Sequence, residues 1–232
     1  EKGVDYGIYH TTFCIPGEPL VSVIIPNKDH TLDLDNCIRP MITRGTYKNL
    51  EFVVVENNST DPKTFEYYEK IQKEFPQVHV VRWEREFNYS AINNFGVKHA
   101  NGEYLLFMNN DIELIAENFV EEMLGFCQRE DVGAVGAKLY YGDRTIQHAG
   151  VVIGLGAHRT AGHVHYKQHR QNLGYMGRLC YAQNFTAVTG ACLMVKKSLY
   201  QEVGGLEESF AVSLNDVDFC LKLREKGYLN IW

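Results

Sequence analysis

Nothing in this sequence is built to cross a membrane as a helix. The longest apolar stretch, residues 150–157, is half glycine and alanine, far short of the roughly 18 residues a spanning helix needs. No basic stretch leads into an apolar one near the N-terminus, so no export signal is read there. Positive charge is in deficit: 23 Lys and Arg stand against 29 Asp and Glu, a net charge of −6. That argues against bulk binding of nucleic acid, which needs a concentrated basic surface. The six cysteines form no CxxC pair, so no metal or redox motif of that kind is expected. Cys192 and Cys220 read as small core residues in a reducing, cytosolic setting. There is no GxGxxG after the first apolar run and no GxxxxGKS/T anywhere, which excludes the glycine-cradled phosphate sites of dehydrogenases and P-loop enzymes.

What is present is the alternation of an α/β domain. With 45% hydrophobic and 22% charged residues the chain is of ordinary globular composition. β-branched runs at residues 21–25 and 50–55, and apolar runs at 78–83, 104–108 and 133–139, read as strands. Between them, residues 32–43, 62–75, 89–99 and 117–128 read as helices, the first bent or shortened by Pro40. Asp61 followed by Pro62 is a helix start, cap then proline. The second half changes character. A long Gly-, His- and Arg-containing stretch at 154–184, which reads as a loop, precedes a strand at 187–195 and an amphipathic helix at 216–226. Strands alternating with helices predict a mixed, mostly parallel sheet flanked by helices. The sequence shows no internal repeats, and the chain reads as a domain excised from a larger protein, cut within a final strand.

In such sheets ligands bind beyond the carboxyl ends of the strands. Three strand ends here carry polar clusters: Pro26-Asn27-Lys28-Asp29, Glu56-Asn57-Asn58-Ser59-Thr60-Asp61 and Asn109-Asn110-Asp111-Ile112-Glu113. One such cluster can simply cap the following helix; three together suggest a polar ligand site. With no glycine cradle, a phosphorylated ligand needs a cation, and Asp111 supplies the hard oxygen that Mg²⁺ or Mn²⁺ prefers.

These segments resemble the family 2 glycosyltransferases of the GT-A fold. The resemblance rests on Val21-Ser22-Val23-Ile24-Ile25-Pro26, on Val54 to Asp61 and on Gly102 to Asp111. Thr189-Gly190-Ala191, Gly204-Gly205-Leu206-Glu207-Glu208 and Asn215-Asp216-Val217-Asp218 follow in the same order, so the likeness covers about residues 21–232 after an N-terminal extension of 1–20. The segment Gln147-His148-Ala149-Gly150-Val151 looks like the branch that includes O-antigen and rhamnosyl transferases. The resemblance implies a nucleotide-binding half of about 21–111 and an acceptor half of about 112–232. It implies a UDP- or dTDP-linked sugar donor, a saccharide or lipid-linked acceptor, inversion at the sugar, and a role in cell-surface polysaccharide synthesis. The acidic charge argues for no nucleic-acid partner and the cysteines for a cytoplasmic location, one that allows peripheral association with the inner membrane face.

The same resemblance assigns roles. Pro26, Asn27 and Asp29 would line the base and ribose, together with Glu56 and Asn57; Asn57 stands where the family usually has an aspartate that meets the uracil imide. The usual Asp-x-Asp metal motif reads Asn109-Asn110-Asp111, so Asp111 would hold the metal and Asn110 would face the nucleotide. Asp216 matches the catalytic base, which takes the acceptor hydroxyl proton as that oxygen attacks the anomeric carbon. Gly190, Ala191 and Asn215 would lie near the sugars. His148 would meet the sugar or pack on the sheet. His158, His163, His165 and His169 have no defensible zinc spacing, but with Arg159, Lys167, Arg170 and Arg178 they form a basic stretch suited to a diphosphate or a phosphorylated lipid. Two rival readings stand beside this one: a non-catalytic nucleotide-sugar-binding module, and a metal-dependent nucleotidyltransferase.

Overall fold

The computed structural model describes residues 3, 6–155 and 159–232. Strands and helices alternate: β1 (Val21–Asn27), α1 (Thr31–Thr43), β2 (Leu50–Glu56), α2 (Pro62–Glu74), β3 (Val78–Arg82), α3 (Tyr89–Lys98), β4 (Tyr104–Met108), α4 (Phe119–Cys127) and β5 (Val132–Gly136). Two short hairpins follow, β6 (Leu139–Tyr140) with β7 (Ile146–His148), and β8 (Val151–Ile153) with β9 (Ala161–His163). The chain ends with β10 (Asn184–Phe185), β11 (Cys192–Lys196), α5 (Lys197–Glu202), α6 (Asn215–Glu225) and β12 (Leu229–Ile231).

Eight strands form one sheet in the order β10-β12-β5-β11-β4-β1-β2-β3. β1 pairs in parallel with β2 and β4, and β2 with β3, while β11 runs antiparallel between β4 and β5. Because β11 opposes both neighbours, β4 and β5 point the same way, and the carboxyl ends of β1, β2, β4 and β5 share one edge. The chain moves outward from β1 through β2 to β3, then returns to its other side with β4. That reversal in strand order opens the crevice where ligands settle in such sheets.

Burial on both faces explains why these strands are continuous apolar runs rather than alternating ones. Val21, Val23 and Ile25 of β1 join Leu34, Ile38 and Met41 of α1, Ile71 of α2 and Leu124 of α4 in one core. Ile24, between them, faces the other core with Ile92 of α3, Leu199 of α5 and Phe219 and Leu223 of α6. The N-terminal extension is held on the first layer: Phe13 packs edge-on against Phe126 at 5.0 Å, and the Arg129 guanidinium lies over the Phe13 ring.

Three expectations need correction. α1 runs past Pro40 to Thr43; proline removes one donor, and the helix continues because its apolar stripe of Leu34, Cys37, Ile38 and Met41 is buried on both sides of that position. The strand expected at 187–195 begins only at Cys192, since residues 187–191 leave the ladder to line the site. The 154–184 stretch is not wholly irregular: it contains β9, and a tight turn at Tyr175–Gly177 with Met176 in the left-handed region at φ 53°.

Candidate active site

The clusters at the ends of β1 and β2 are knit to each other. The Asn57 backbone N–H donates to the Asn27 carbonyl at 2.9 Å, extending the β1–β2 ladder one step. Asn27 is buried; its amide donates to Tyr68 Oη at 2.8 Å, and its Oδ1 accepts from Asn110 Nδ2 at 2.6 Å. The Asn57 amide nitrogen donates to the carbonyls of Trp83 and Arg85 at 3.1 and 3.0 Å. Carbonyls only accept, so this side chain can face them only with its NH₂, which leaves Oδ1 as the free acceptor.

Asp29 and Glu56 serve the turns. Asp29 sits in the left-handed region at φ 59°, and its carboxylate accepts from the backbone of Thr60 and Asp61 and from the hydroxyls of Thr60 and Thr64. Those hydrogen bonds, led by the one from Asp61, hold its carboxyl below the usual aspartate range. Glu56 Oε1 accepts from the Ser59 N–H at 2.5 Å. Both carboxylates therefore shape the loops that frame the crevice. Pro26 ends the buried run of β1 and pairs with Val55 across the ladder.

Asp111, just past β4, differs from all of these. Its side chain is exposed and makes no hydrogen bond or ion pair among the described residues. Of the four carboxylates assigned to the site, Asp29, Glu56, Asp111 and Asp216, it is the one left without a hydrogen-bond partner among the described residues. It borders a cavity of about 850 Å³, together with Asn109, Lys138, Gln147, Arg170 and Trp232. Lys138 is partly desolvated, which lowers its pKa, and its ammonium lies over the rings of Tyr140 and Trp232. The donor set fits a divalent cation that arrives with its phosphates: one unengaged carboxylate, and no cluster of three or more His, Cys, Asp or Glu among the described residues.

Asp216 occupies the first turn of α6, after Leu214 in the left-handed region at φ 64°. Its Oδ2 accepts from the Gly190 N–H at 2.9 Å and its Oδ1 from the Val217 N–H at 2.8 Å. Tyr89 Oη donates to the Gly190 carbonyl at 2.9 Å, and burial, with Asp216 nearby, pushes the Tyr89 phenol well above its ordinary value. A Cβ at Gly190 would sit 3.4 Å from Tyr89 Oη and 3.5 Å from Asp216 Cβ. These are ordinary contact distances, so packing within the protein does not require glycine there. Asn215 is buried and bonds locally, its Oδ1 accepting from the Asp216 N–H at 2.8 Å and its amide donating to the Phe210 carbonyl.

Hydrogen bonds and steps between chain-adjacent residues link the two ends of the site. Asn57 bonds to Asn27 and Asn27 to Asn110; the neighbouring Asn109 N–H donates to the Ala191 carbonyl at 3.0 Å, and the adjacent Gly190 holds Asp216. Asn88 and Asn94 lie outside these links. The first caps α3, and both amides bond into the 206–208 turn. Of the basic stretch, Lys167 pairs with Asp143, Arg170 covers Tyr140 and Arg178 bonds to Gln183; His158 lies outside the described residues. Sequence reasoning missed a histidine pair, His148 Nδ1 to His163 Nδ1 at 3.0 Å. The only signal was the Gln147-His148-Ala149-Gly150 segment itself, since the partner comes from a different hairpin.

The sequence model described as Glycosyl transferase family 2 matches residues 22–204. The chain belongs to that family. Its sheet is that of the GT-A fold: this family 2 chain superimposes with a TM-score of 0.66 on the mannosyltransferase PcManGT of Pyrobaculum calidifontis, solved with GDP-Man and Mn²⁺, at 18% identity over 92% of this chain and 54% of that one. GalNAc-T7, solved with UDP, GalNAc and Mn²⁺, gives 0.67 at 13% identity over 92% of this chain and 42% of that one. In sequence, the family 2 chain is 45% identical over 225 residues to the uncharacterised protein y4gI of Sinorhizobium fredii, covering 97% of this chain and 24% of that protein. It is 36% identical over 220 residues to the O-antigen biosynthesis protein RfbC of Myxococcus xanthus, covering 94% of this chain and 17% of that protein. The family 2 chain thus spans a quarter or less of these two relatives. Among its described residues no helix is long and apolar enough to cross a membrane.

Proposed function

We propose that this domain transfers a sugar, with inversion, from a nucleoside diphosphate donor to a saccharide or lipid-linked acceptor in the assembly of a surface polysaccharide. The observation that carries the reading is the contrast between two aspartates. Asp111 is unengaged and borders the large cavity, whereas Asp216 is held in one orientation by two backbone N–H groups.

A displacement at the anomeric carbon needs help at both ends. The departing diphosphate gathers negative charge; Asp111 would hold a Mg²⁺ or Mn²⁺ ion, which would supply the positive charge that offsets it. At the other end the attacking hydroxyl must lose its proton to a fixed acceptor. Each Asp216 oxygen has a second lone pair beyond its backbone bond, so the carboxylate can take that proton without leaving its two anchors. Attack from the face opposite the leaving group inverts the sugar. The base of the nucleotide meets Asn57, whose free Oδ1 accepts an imide N–H such as that of uracil or thymine. RfbC, by its name an O-antigen biosynthesis protein, supports the polysaccharide setting.

Calorimetric titration of UDP, dTDP and GDP, each with and without Mn²⁺, tests the donor half. The reading expects one of them to bind at least tenfold more tightly with the metal. Metal-independent binding, or none with any of the three, favours the non-catalytic reading instead.

A further inference from the structure

A second cavity, about 450 Å³, lies between the β6–β7 and β8–β9 hairpins and is bordered by Tyr141, Gln147, His163, Tyr166 and Thr189. Its size is that of a small-molecule site. Tyr141 and Tyr166 meet edge to face, ring centroids 6.1 Å apart and hydroxyls 3.4 Å apart, and Tyr166 remains 53% exposed. Lys167 covers the Tyr141 ring at 3.8 Å from its centroid while pairing with Asp143 at 3.6 Å. Together these contacts brace the tyrosine pair.

The polar groups of this cleft are set rather than adaptable. The Thr189 backbone N–H donates to His148 Nε2 at 3.3 Å. A backbone N–H can only donate, so that nitrogen is an acceptor. His148 is fully buried, and burial lowers its pKa to about 3, so the ring is neutral. Its single proton is then on Nδ1, which donates to His163 Nδ1 at 3.0 Å. The neutral His163 ring must carry its own proton on Nε2, and that donor has no partner among the described residues. The Gln147 side chain likewise has none, and it offers both a donor and an acceptor.

We propose that this cleft binds a pyranose ring of the acceptor saccharide, stacked against Tyr166 and hydrogen-bonded by Gln147 and by Nε2–H of His163. The proposal rests on the glycosyltransferase reading above and adds the acceptor subsite to it. One face of a pyranose carries several C–H groups, which match the negative face of an aromatic ring, while its rim of hydroxyls needs fixed donors and acceptors. The position relative to the chemistry is right on both sides. Gln147 and Tyr141 border the large cavity as well as this one, so the cleft adjoins the cavity that Asp111 also borders. Thr189 adjoins Gly190, whose N–H holds Asp216; burial lowers the His163 pKa, and the Asp216 charge acts against that shift.

Saturation-transfer NMR on the 232-residue chain tests this. The probes are the methyl glycosides of rhamnose, mannose, glucose, galactose and N-acetylglucosamine at millimolar concentration, with Mn²⁺ and each of UDP, dTDP and GDP. At least one glycoside should bind. Tyr166→Ala and Gln147→Leu should each weaken it at least fivefold, while Tyr166→Phe keeps the stacking surface and stays within twofold. Nucleotide affinity should stay within twofold in the two Tyr166 variants. A bound nucleotide with no glycoside binding, or glycoside binding indifferent to Tyr166→Ala and Gln147→Leu, overturns the subsite and leaves the donor reading standing. Absence of nucleotide binding overturns the donor reading, and the subsite with it.

Discussion

The Gly190 N–H and Oδ2 of Asp216 lie 2.9 Å apart, so the loop entering β11 and the first turn of α6 meet at a carboxylate. Tyr89 Oη fixes the same glycine from its carbonyl side at 2.9 Å. The carboxylate is therefore oriented by the fold before any ligand arrives, the condition for a general base to act in a defined direction. Asp216→Asn keeps the size of the side chain and removes the base. It is expected to lower sugar transfer by a factor of about 10²–10⁴ while nucleotide affinity, read by calorimetry, stays within twofold. Retained turnover removes Asp216 from this role.

The family usually has aspartate at the position of Asn57, yet restoring it should harm this chain. The Asn57 amide faces two carbonyls, of Trp83 and Arg85, and Asn57→Asp would turn a carboxylate oxygen toward both. An acceptor set against acceptors loses two hydrogen bonds and places a buried carboxylate against carbonyl oxygens, a cost of about 1–3 kcal/mol. Urea unfolding at pH 7 should show that loss together with weaker nucleotide binding. A variant as stable as the parent would mean that the turn tolerates either residue.

His148 predicts a dependence on acid. Its folded pKa of about 3 lies below the ordinary 6.5 because burial disfavours the charged ring, and His163 beside it adds to the effect. Between those two values the unfolded chain binds a proton that the folded chain does not, so stability falls as pH drops from about 6.5 toward 3. At about 1.4 kcal/mol per unit, the full window corresponds to a loss on the order of 5 kcal/mol. Urea unfolding between pH 4 and 7 should show this slope in the parent and a shallower one in His148→Gln. Depressed carboxylates such as Asp29 contribute in the same direction in both proteins, so the difference between them isolates the histidine.

Gly102 predicts a purely steric effect. A Cβ there would lie 2.6 Å from the Leu20 carbonyl oxygen and 2.7 Å from the Ser22 nitrogen, both backbone atoms. Around it, Glu51 receives hydrogen bonds from Ser22, Asn101 and Gly102. Burial would raise the Glu51 carboxyl, but these donors, Asn101 foremost, outweigh it and hold the group below its usual range. Gly102→Ala should cost about 1–3 kcal/mol of stability without changing nucleotide affinity per folded molecule. Thermal unfolding unchanged from the parent would contradict this.

Where the sequence was legible, the cause is local. β1, β2 and β4 announce themselves because both faces of a parallel strand are buried and only unbroken apolar runs satisfy that. α2 is marked by Asp61, whose side chain does accept from the Lys63 N–H. The site was legible as three polar strand ends, which the reversal at β1 and β4 brings to one edge. What could not be read is which side chains remain unengaged. Asp29 and Asp111 look alike in sequence; the first is bound by the α2 N-terminus and the second by nothing described. β9, with the sequence Ala161-Gly162-His163, lacks any period-two apolar pattern, so the partner of His148 was hidden in what read as a loop.

The most direct test of the account concerns Asp111. Electron paramagnetic resonance of Mn²⁺, titrated into the chain with and without the nucleoside diphosphate that binds best, reports the ion itself. The account predicts weak binding without nucleotide, at least tenfold tighter binding with it, and loss of that gain in Asp111→Asn. An Asp111→Asn protein that holds Mn²⁺ and nucleotide as tightly as the parent would contradict it.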